Sequence, residues 1–176
     1  MDESLDVDNS PALEVLLVDV ASEMVAIPIN SVKEVIEYTK ITQVPMCHEQ
    51  MSGVINVRGS VVPVVDAALR LDLDSNQGYD KYSCIILYES RNEKLQENVT
   101  IGLVVSRVRS IKSIALHDIY DKPAFGVHIP SQYVAEMIEV SGDTVPMLEM
   151  PALLNGEKLN GLILQHQRSL LSHWES

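Results

Sequence analysis

The sequence predicts an all-β fold with short helices, built as two similar β-barrel halves that pack together. Three observations predict it. The segment Gly59-Ser60-Val61-Val62-Pro63-Val64-Val65-Asp66 returns as Gly142-Asp143-Thr144-Val145-Pro146-Met147-Leu148-Glu149: a turn, valine-proline, an apolar pair, an acid. Upstream of each copy, Ile27 to Val35 matches Leu103 to Ile111, apolar at corresponding places and in the same order along the chain. The rest of the ordered pattern is short runs rich in Val and Ile, bounded by Gly, Pro, Asn and Ser, which read as strands. A separation of roughly 80 residues between copies is too long for a solenoid repeat and suits a duplicated small barrel.

Taken in order, residues 1 to 11 are acidic, lack periodicity and end at Pro11, so they read as a flexible leader. Strands follow at Leu13 to Val20, Met24 to Ile29, Val32 to Val44, Gly53 to Val57 and Val61 to Val65. Asp66 to Leu71 reads as a helical turn, and Asp72 to Lys81 as a polar loop with Asn76 and Gly78 as turn formers. The second set runs Tyr82 to Tyr88, a charged loop Glu89 to Asn98, Thr100 to Val108, Ser110 to Ala115, Val134 to Val140 and Thr144 to Met147. A short helix from Pro151 to Leu154 stops at Asn155-Gly156. The predicted organisation is therefore a leader over 1–11, one domain over 12–155 whose halves change over near 66–82 and again near its end, and a tail over 156–176. Apolar residues at near-helical spacing from Leu162 to Trp174 give that tail a possible helix.

The chain has 176 residues and a formal charge of −12. Such a balance repels phosphate backbones and anionic lipid, so nucleic acid and membrane insertion are poor expectations and protein partners are good ones. No apolar run approaches the roughly 20 residues that span a bilayer. The opening Met1-Asp2-Glu3 is acidic where a signal peptide is basic, which points to the cytoplasm. Cys47 and Cys84 lack ligand spacing, and His48, His117, His128, His166 and His173 are scattered, so no metal and no cofactor is expected. Asp66 and Glu149 hold equivalent places in the two copies. A paired-carboxylate reaction is one reading; helix capping is the other, because each acid precedes a short helix with unsatisfied N–H groups. No catalytic residue is assigned.

Gly53-Val54-Ile55-Asn56-Val57-Arg58-Gly59-Ser60-Val61-Val62-Pro63-Val64-Val65-Asp66 resembles the signature of the CheW family of chemotaxis coupling proteins, G-V-x-N-[LV]-R-G-x-[VI]-[VL]-P-[VI]-x-D. Val32 to Ile36, Ile41 to Pro45 and the Gly142 to Leu148 element are similar to flanking parts of that family. The resemblance implies two intertwined five-stranded SH3-like barrels with a hydrophobic groove between them. It implies a non-enzymatic adaptor that joins the regulatory domain of a CheA-like histidine kinase to the cytoplasmic tip of a methyl-accepting chemoreceptor. The chain departs from the family at Asp66-Ala67-Ala68, at Leu16, Leu17, Met24 and Ala26 where aromatics are common, and in an extra polar stretch from Arg91 to Asn98. These departures leave open a second pathway for the same adaptor, a pilus or other non-flagellar chemosensory system.

By the same resemblance, Val32, Val35, Val108 and Ile111 would line the groove that accepts the receptor's helical hairpin; read from the residues alone, each is a core position. Arg58 lies in a segment expected to be half-buried. It either contacts the receptor or ties a loop to backbone acceptors, since its charge cannot be removed. Glu34 and Lys33 should point away from the core, as plain surface charges or as rim contacts with receptor or kinase. Gly53, Gly59, Gly102 and Gly142 read as backbone devices for positive φ or a tight corner. Pro63 and Pro146 read as edge or strand-end residues, and an edge open there would suit pairing with the kinase's related barrel.

Overall fold

A computed structural model describes residues 11–43, 51–73, 78–93, 96–122 and 128–155. Its elements are β1 (Pro11–Val20), β2 (Glu23–Pro28), a 3-10 turn (Ile29–Ser31), β3 (Glu34–Glu37), β4 (Met51–Val57), β5 (Ser60–Asp66) and a helical turn (Ala67–Arg70). Then come β6 (Cys84–Asn92), β7 (Glu97–Val105), β8 (Arg107–Ala115), a second 3-10 turn (Leu116–Asp118) and β9 (Ile119–Asp121). A third 3-10 turn (Ser131–Tyr133), β10 (Val134–Val140), β11 (Asp143–Leu148) and a last helical turn (Met150–Leu153) complete it. Pro11, placed by the sequence at the end of the leader, is instead the first residue of β1 and pairs with Ala115. The rest of the leader and the tail beyond Asn155 lie outside the described residues.

The strands form two sheets, ordered β8-β1-β2-β11-β10-β9 and β3-β6-β7-β5-β4. Exchanging β8, β1, β2, β11 and β10 for β3, β6, β7, β5 and β4 turns one order into the other, so the repeat in the sequence is a repeat in topology. Each half of the chain lends its hairpin to the other's sheet: β1–β2 joins the C-terminal strands, and β6–β7 sits between β3 and β5. The registers align the copies residue by residue. Ala26 pairs with Leu17 in its hairpin and with Met147 across a parallel join. Gly102 pairs with Leu87 and with Val64 in the same two ways.

Period-two alternation then sorts the side chains into three cores. Val15, Leu17, Ala26, Ile114, Ile138, Val145 and Met147 fill the first barrel, and Ile55, Val62, Val64, Ile85, Leu87 and Val104 fill the second. The alternate residues of the same strands, Leu16, Val18, Val20, Ile86, Ile101 and Leu103, meet between the sheets with Leu71, Leu148, Met150 and Leu153. The central cluster draws on both sheets and both helical turns, so the two barrels share one packed core.

Closure of each barrel relies on the chain just after β3 or β8. Thr42 exchanges two backbone hydrogen bonds of 2.9 Å with Val54 of β4; at the equivalent place β9 pairs with β10 through Tyr120 and Met137. The first sheet consequently has six strands where the resemblance implied five, and its sixth has only three residues. Of the strand expected over Val32 to Val44, the described residues form only Glu34–Glu37, because the chain leaves β6 after Tyr38 and crosses to β4; Val44 lies outside the described residues. The loop expected over Glu89 to Asn98 is mostly strand: Glu89, Ser90, Arg91 and Asn92 pair with Thr100, Val99, Asn98 and Glu97. Asn98 donates a side-chain hydrogen bond to Glu89, and Lys33 donates one to Thr100, so polar residues line a ribbon whose ladder is intact.

Candidate docking surface

Two strands, β3 and β8, carry four of the six candidate binding residues, Glu34, Val35, Val108 and Ile111; β8 contains a local break in register, and a doubled contact stands just ahead of β3. In β8, Ser110 pairs with Leu17 and Val108 with Val18, leaving Arg109 as an extra residue. That is a β-bulge, and it has a directional consequence. Residues three apart on a regular strand face opposite sides, yet Val108 and Ile111 lie opposite Val18 and Leu16, both members of the central cluster. The bulge therefore puts Val108 and Ile111 on one face. At the start of β3 the Lys33 amide donates to Leu87 O at 2.8 Å, while the next residue, Glu34, is itself the partner of Leu87. Two residues again address one, and Val32 packs on the central cluster while Val35 lies opposite Ile86 of that same cluster.

On or just ahead of each of these strands one apolar residue is anchored and one, three positions on, is left in water. Val32 and Val108 are partly buried against the central core. Val35 and Ile111 are 39% and 56% exposed, two of the few large apolar side chains among the described residues that are. The structure thus brings the four predicted residues onto the seam-facing side of equivalent strands.

Glu34 and Arg58 form a bidentate ion pair, Nη2 to Oε1 at 2.6 Å and Nη1 to Oε2 at 3.1 Å. Arg58 was expected in a half-buried segment; its side chain is 69% exposed instead, because it stands at the tip of the β4–β5 hairpin. Its φ of 49°, followed by 88° at Gly59, is the backbone of a two-residue type I′ turn, repeated by Ser141 and Gly142 between β10 and β11. A glycine at the second place lets both strands twist as hairpins require. Glu34 was expected to face outward; it lies opposite the barrel-core residue Leu87, at the barrel's rim, and the arginine satisfies it there. That guanidinium holds the Glu34 carboxyl below its usual range, and the carboxylate in turn holds the Arg58 charge in place.

The remaining site positions fall as follows. At Gly53 a Cβ would stand 2.1 Å from Thr42 O, so the closure bridge requires a glycine. Gly102, by contrast, has no positive φ: it is a packing position, where a Cβ would come within 2.8 Å of Ile85 Cγ2. Pro63 and Pro146 are buried in interior strands, which corrects their expected place on an edge and removes them as an open pairing edge. Each immediately precedes the residue at which the parallel neighbour begins, Val64 on Gly102 and Met147 on Ala26. The prolines thus occupy points with a registered partner on one side only. Asp66 and Glu149 stand at the starts of different helical turns. Asp66 Oδ1 accepts from Ala68 N at 3.0 Å and Leu69 N at 3.2 Å, and Tyr79 Oη donates to it as well. Glu149 makes no side-chain cap, so the capping expectation holds for one copy and not the other.

Several features were missed. Arg109 Nε reaches both carboxylate oxygens of Asp19 at 2.8 and 2.9 Å. Lys33 Nζ lies 3.5 Å from Glu89. These pairs occupy equivalent places in the two sheets; the duplicated segments align Lys33 with Arg109, but the unequal hairpins hid the acids. Tyr82, 55% exposed, lies beneath Arg107 and Lys81, at 5.3 and 5.1 Å from its ring centre. Among the described residues no helix is long and apolar enough to cross a membrane, and no group of three or more His, Cys, Asp or Glu is arranged to hold a metal ion.

A family model described as the CheW-like domain matches residues 14–158. A chemotaxis protein CheW of Klebsiella aerogenes is 24% identical over 148 residues, 83% of this chain and 84% of that protein. One from Thermotoga maritima is 31% identical over 107 residues, 61% and 66% of the two chains. Among solved structures, the scaffolding protein TtCheW from Thermoanaerobacter tengcongensis superposes with a TM-score of 0.71 at 26% identity, covering 82% of this chain and 93% of its own.

Proposed function

Because this chain belongs to the CheW-like domain family, we propose that it is a non-enzymatic cytoplasmic adaptor, coupling the regulatory domain of a CheA-like histidine kinase to the cytoplasmic tip of a methyl-accepting chemoreceptor. The observation that carries the reading is the matched display of Val35 and Ile111 on equivalent strands, each beside an anchored valine. Exposed aliphatic side chains held on the edge strands of the two sheets suit the apolar stripe of a helix, which offers anchors at i and i+3 or i+4. Arg58 and Glu34 lie at the end of β3 and supply a charged rim, whose contribution goes to rate and specificity more than to affinity.

Chemistry of the carboxylates supports the same direction. The Asp66 carboxylate accepts from two backbone amides and a tyrosine hydroxyl, an arrangement that holds a helix start, and Glu149 stands at the start of a different helical turn. The test is a binding titration of the full chain with a receptor-tip fragment and, separately, with the kinase regulatory domain. Binding to both, and to both at once, is expected; binding to neither rejects the adaptor reading. Which receptor tip is captured, one from a flagellar array or one from a pilus system, assigns the pathway.

A further inference from the structure

The bulge at Arg109, and the doubled contact by which Lys33 and Glu34 both address Leu87 just ahead of the β3 ladder, do more than break a pattern. Each is the reason that an anchored valine and an exposed aliphatic residue three positions on share a face. A bulge on a strand with few pairing constraints can migrate by a residue, and migration would turn one member of the pair to the other side. In both copies the extra residue is basic, and its side chain is tied to an acid on the neighbouring strand: Arg109 to Asp19 on β1, Lys33 to Glu89 on β6. The backbone next to the first bulge is fixed from the same place. Ser106 N donates to Asp19 O at 2.9 Å, and Ser106 Oγ accepts from Ala21 N at 3.0 Å. The chemistry is conserved between the copies although the residues differ, a guanidinium on a carboxylate in one and an ammonium in the other.

We infer that Arg109 with Asp19, and Lys33 with Glu89, are positioning pairs that hold these two irregularities in phase and thereby keep Val108 with Ile111, and Val32 with Val35, on the side of each strand that faces the central cluster. The inference rests on the docking reading above for its binding consequence, and on the bulge geometry alone for its structural one.

The test uses the full chain carrying Arg109→Gln, Arg109→Lys, or the exchange Asp19→Arg with Arg109→Asp. The glutamine variant should bind a receptor-tip fragment about fivefold more weakly, the upper end for an exposed pair. Its thermal midpoint should stay within about 2 °C of the parent, and its amide signals from Ser106 to Ile111 should shift with faster hydrogen exchange at Ser106. The lysine variant, which copies the residue at the equivalent place, should bind within about twofold of the parent, and so should the exchange. A folded exchange variant that stays weak would mean that Arg109 touches the partner directly, and would overturn the positioning role. Unchanged amide signals in the glutamine variant would overturn it in the absence of any partner. Failure of the parent itself to bind the fragment would instead reject the docking reading, and the two failures are distinguishable.

Discussion

Asp66 and Glu149 show how far equivalent letters can diverge in physical role. Both stand where a strand gives way to a helical turn, and only Asp66 reaches the free amides. Asp66→Ala should therefore destabilise the chain by about 2 kcal/mol, from a lost cap and an orphaned tyrosine hydroxyl. Glu149→Ala should stay within about 0.5 kcal/mol, and paired chemical denaturation curves measure both. Burial, and then the Asp66 carboxylate it donates to, push the Tyr79 hydroxyl far above the usual tyrosine range. A pKa raised on folding contributes stability that is complete below the unfolded value, about 10, and is lost as pH rises beyond it. Alkaline titration followed by phenolate absorbance should show Tyr79 ionising only with unfolding. The Glu34 carboxyl is shifted the other way, by its hydrogen bonds to Arg58. Its contribution is present above the ordinary glutamate pKa and fades as pH falls below it. Capping by Asp66 was legible from its place before a short helix. The partnership of Glu34 with Arg58 was not, because β3 and β4 lie at opposite ends of one sheet and meet only when the barrel closes.

At the scale of elements, the β-hairpins and their order were legible because alternation and turn residues are local signals. The bounds that failed did so where tertiary pairing overrode composition. The Glu89–Asn98 ribbon looks like a loop because its outward residues are charged, yet its ladder continues for four more pairs. β3 looks long because Val32 to Val44 is β-branched, yet pairing with β6 lasts only four residues. The two proline strands show the same effect: a position with one neighbour resembles an edge in sequence, although β5 and β11 are interior. Gly102 and Ala26 occupy equivalent places, and their difference is a packing difference. Gly102→Ala should cost about 1–3 kcal/mol, since the new methyl meets Ile85 at 2.8 Å and Val64 at 3.4 Å. A thermal melt checks it, and Gly59→Ala at an open hairpin tip serves as a comparison with strain but no clash.

For the whole molecule, duplication was the strongest signal in the sequence, and its copies became two sheets of matching order. What the repeat could not convey is that the halves exchange hairpins, since strand partnership across the chain leaves no local mark. The exchange has a consequence for folding. A fragment ending at residue 81 keeps β3, β4 and β5 but lacks β6 and β7, which stand between β3 and β5. It should show no cooperative unfolding transition, and the full chain should show one, because the central cluster spans both sheets. Circular dichroism during denaturation distinguishes these outcomes. The same central cluster anchors Val32 and Val108, so the exposed partners Val35 and Ile111 stand beside residues held by the largest of the three cores. Affinity of a receptor-tip fragment for the full chain, measured by calorimetry with Val35→Asp and Ile111→Asp beside the parent, tests that surface most directly. Each exposed position should accept the aspartate without loss of folding while binding falls at least about tenfold. Folded variants that bind as the parent does would contradict the assignment of this face as the docking surface.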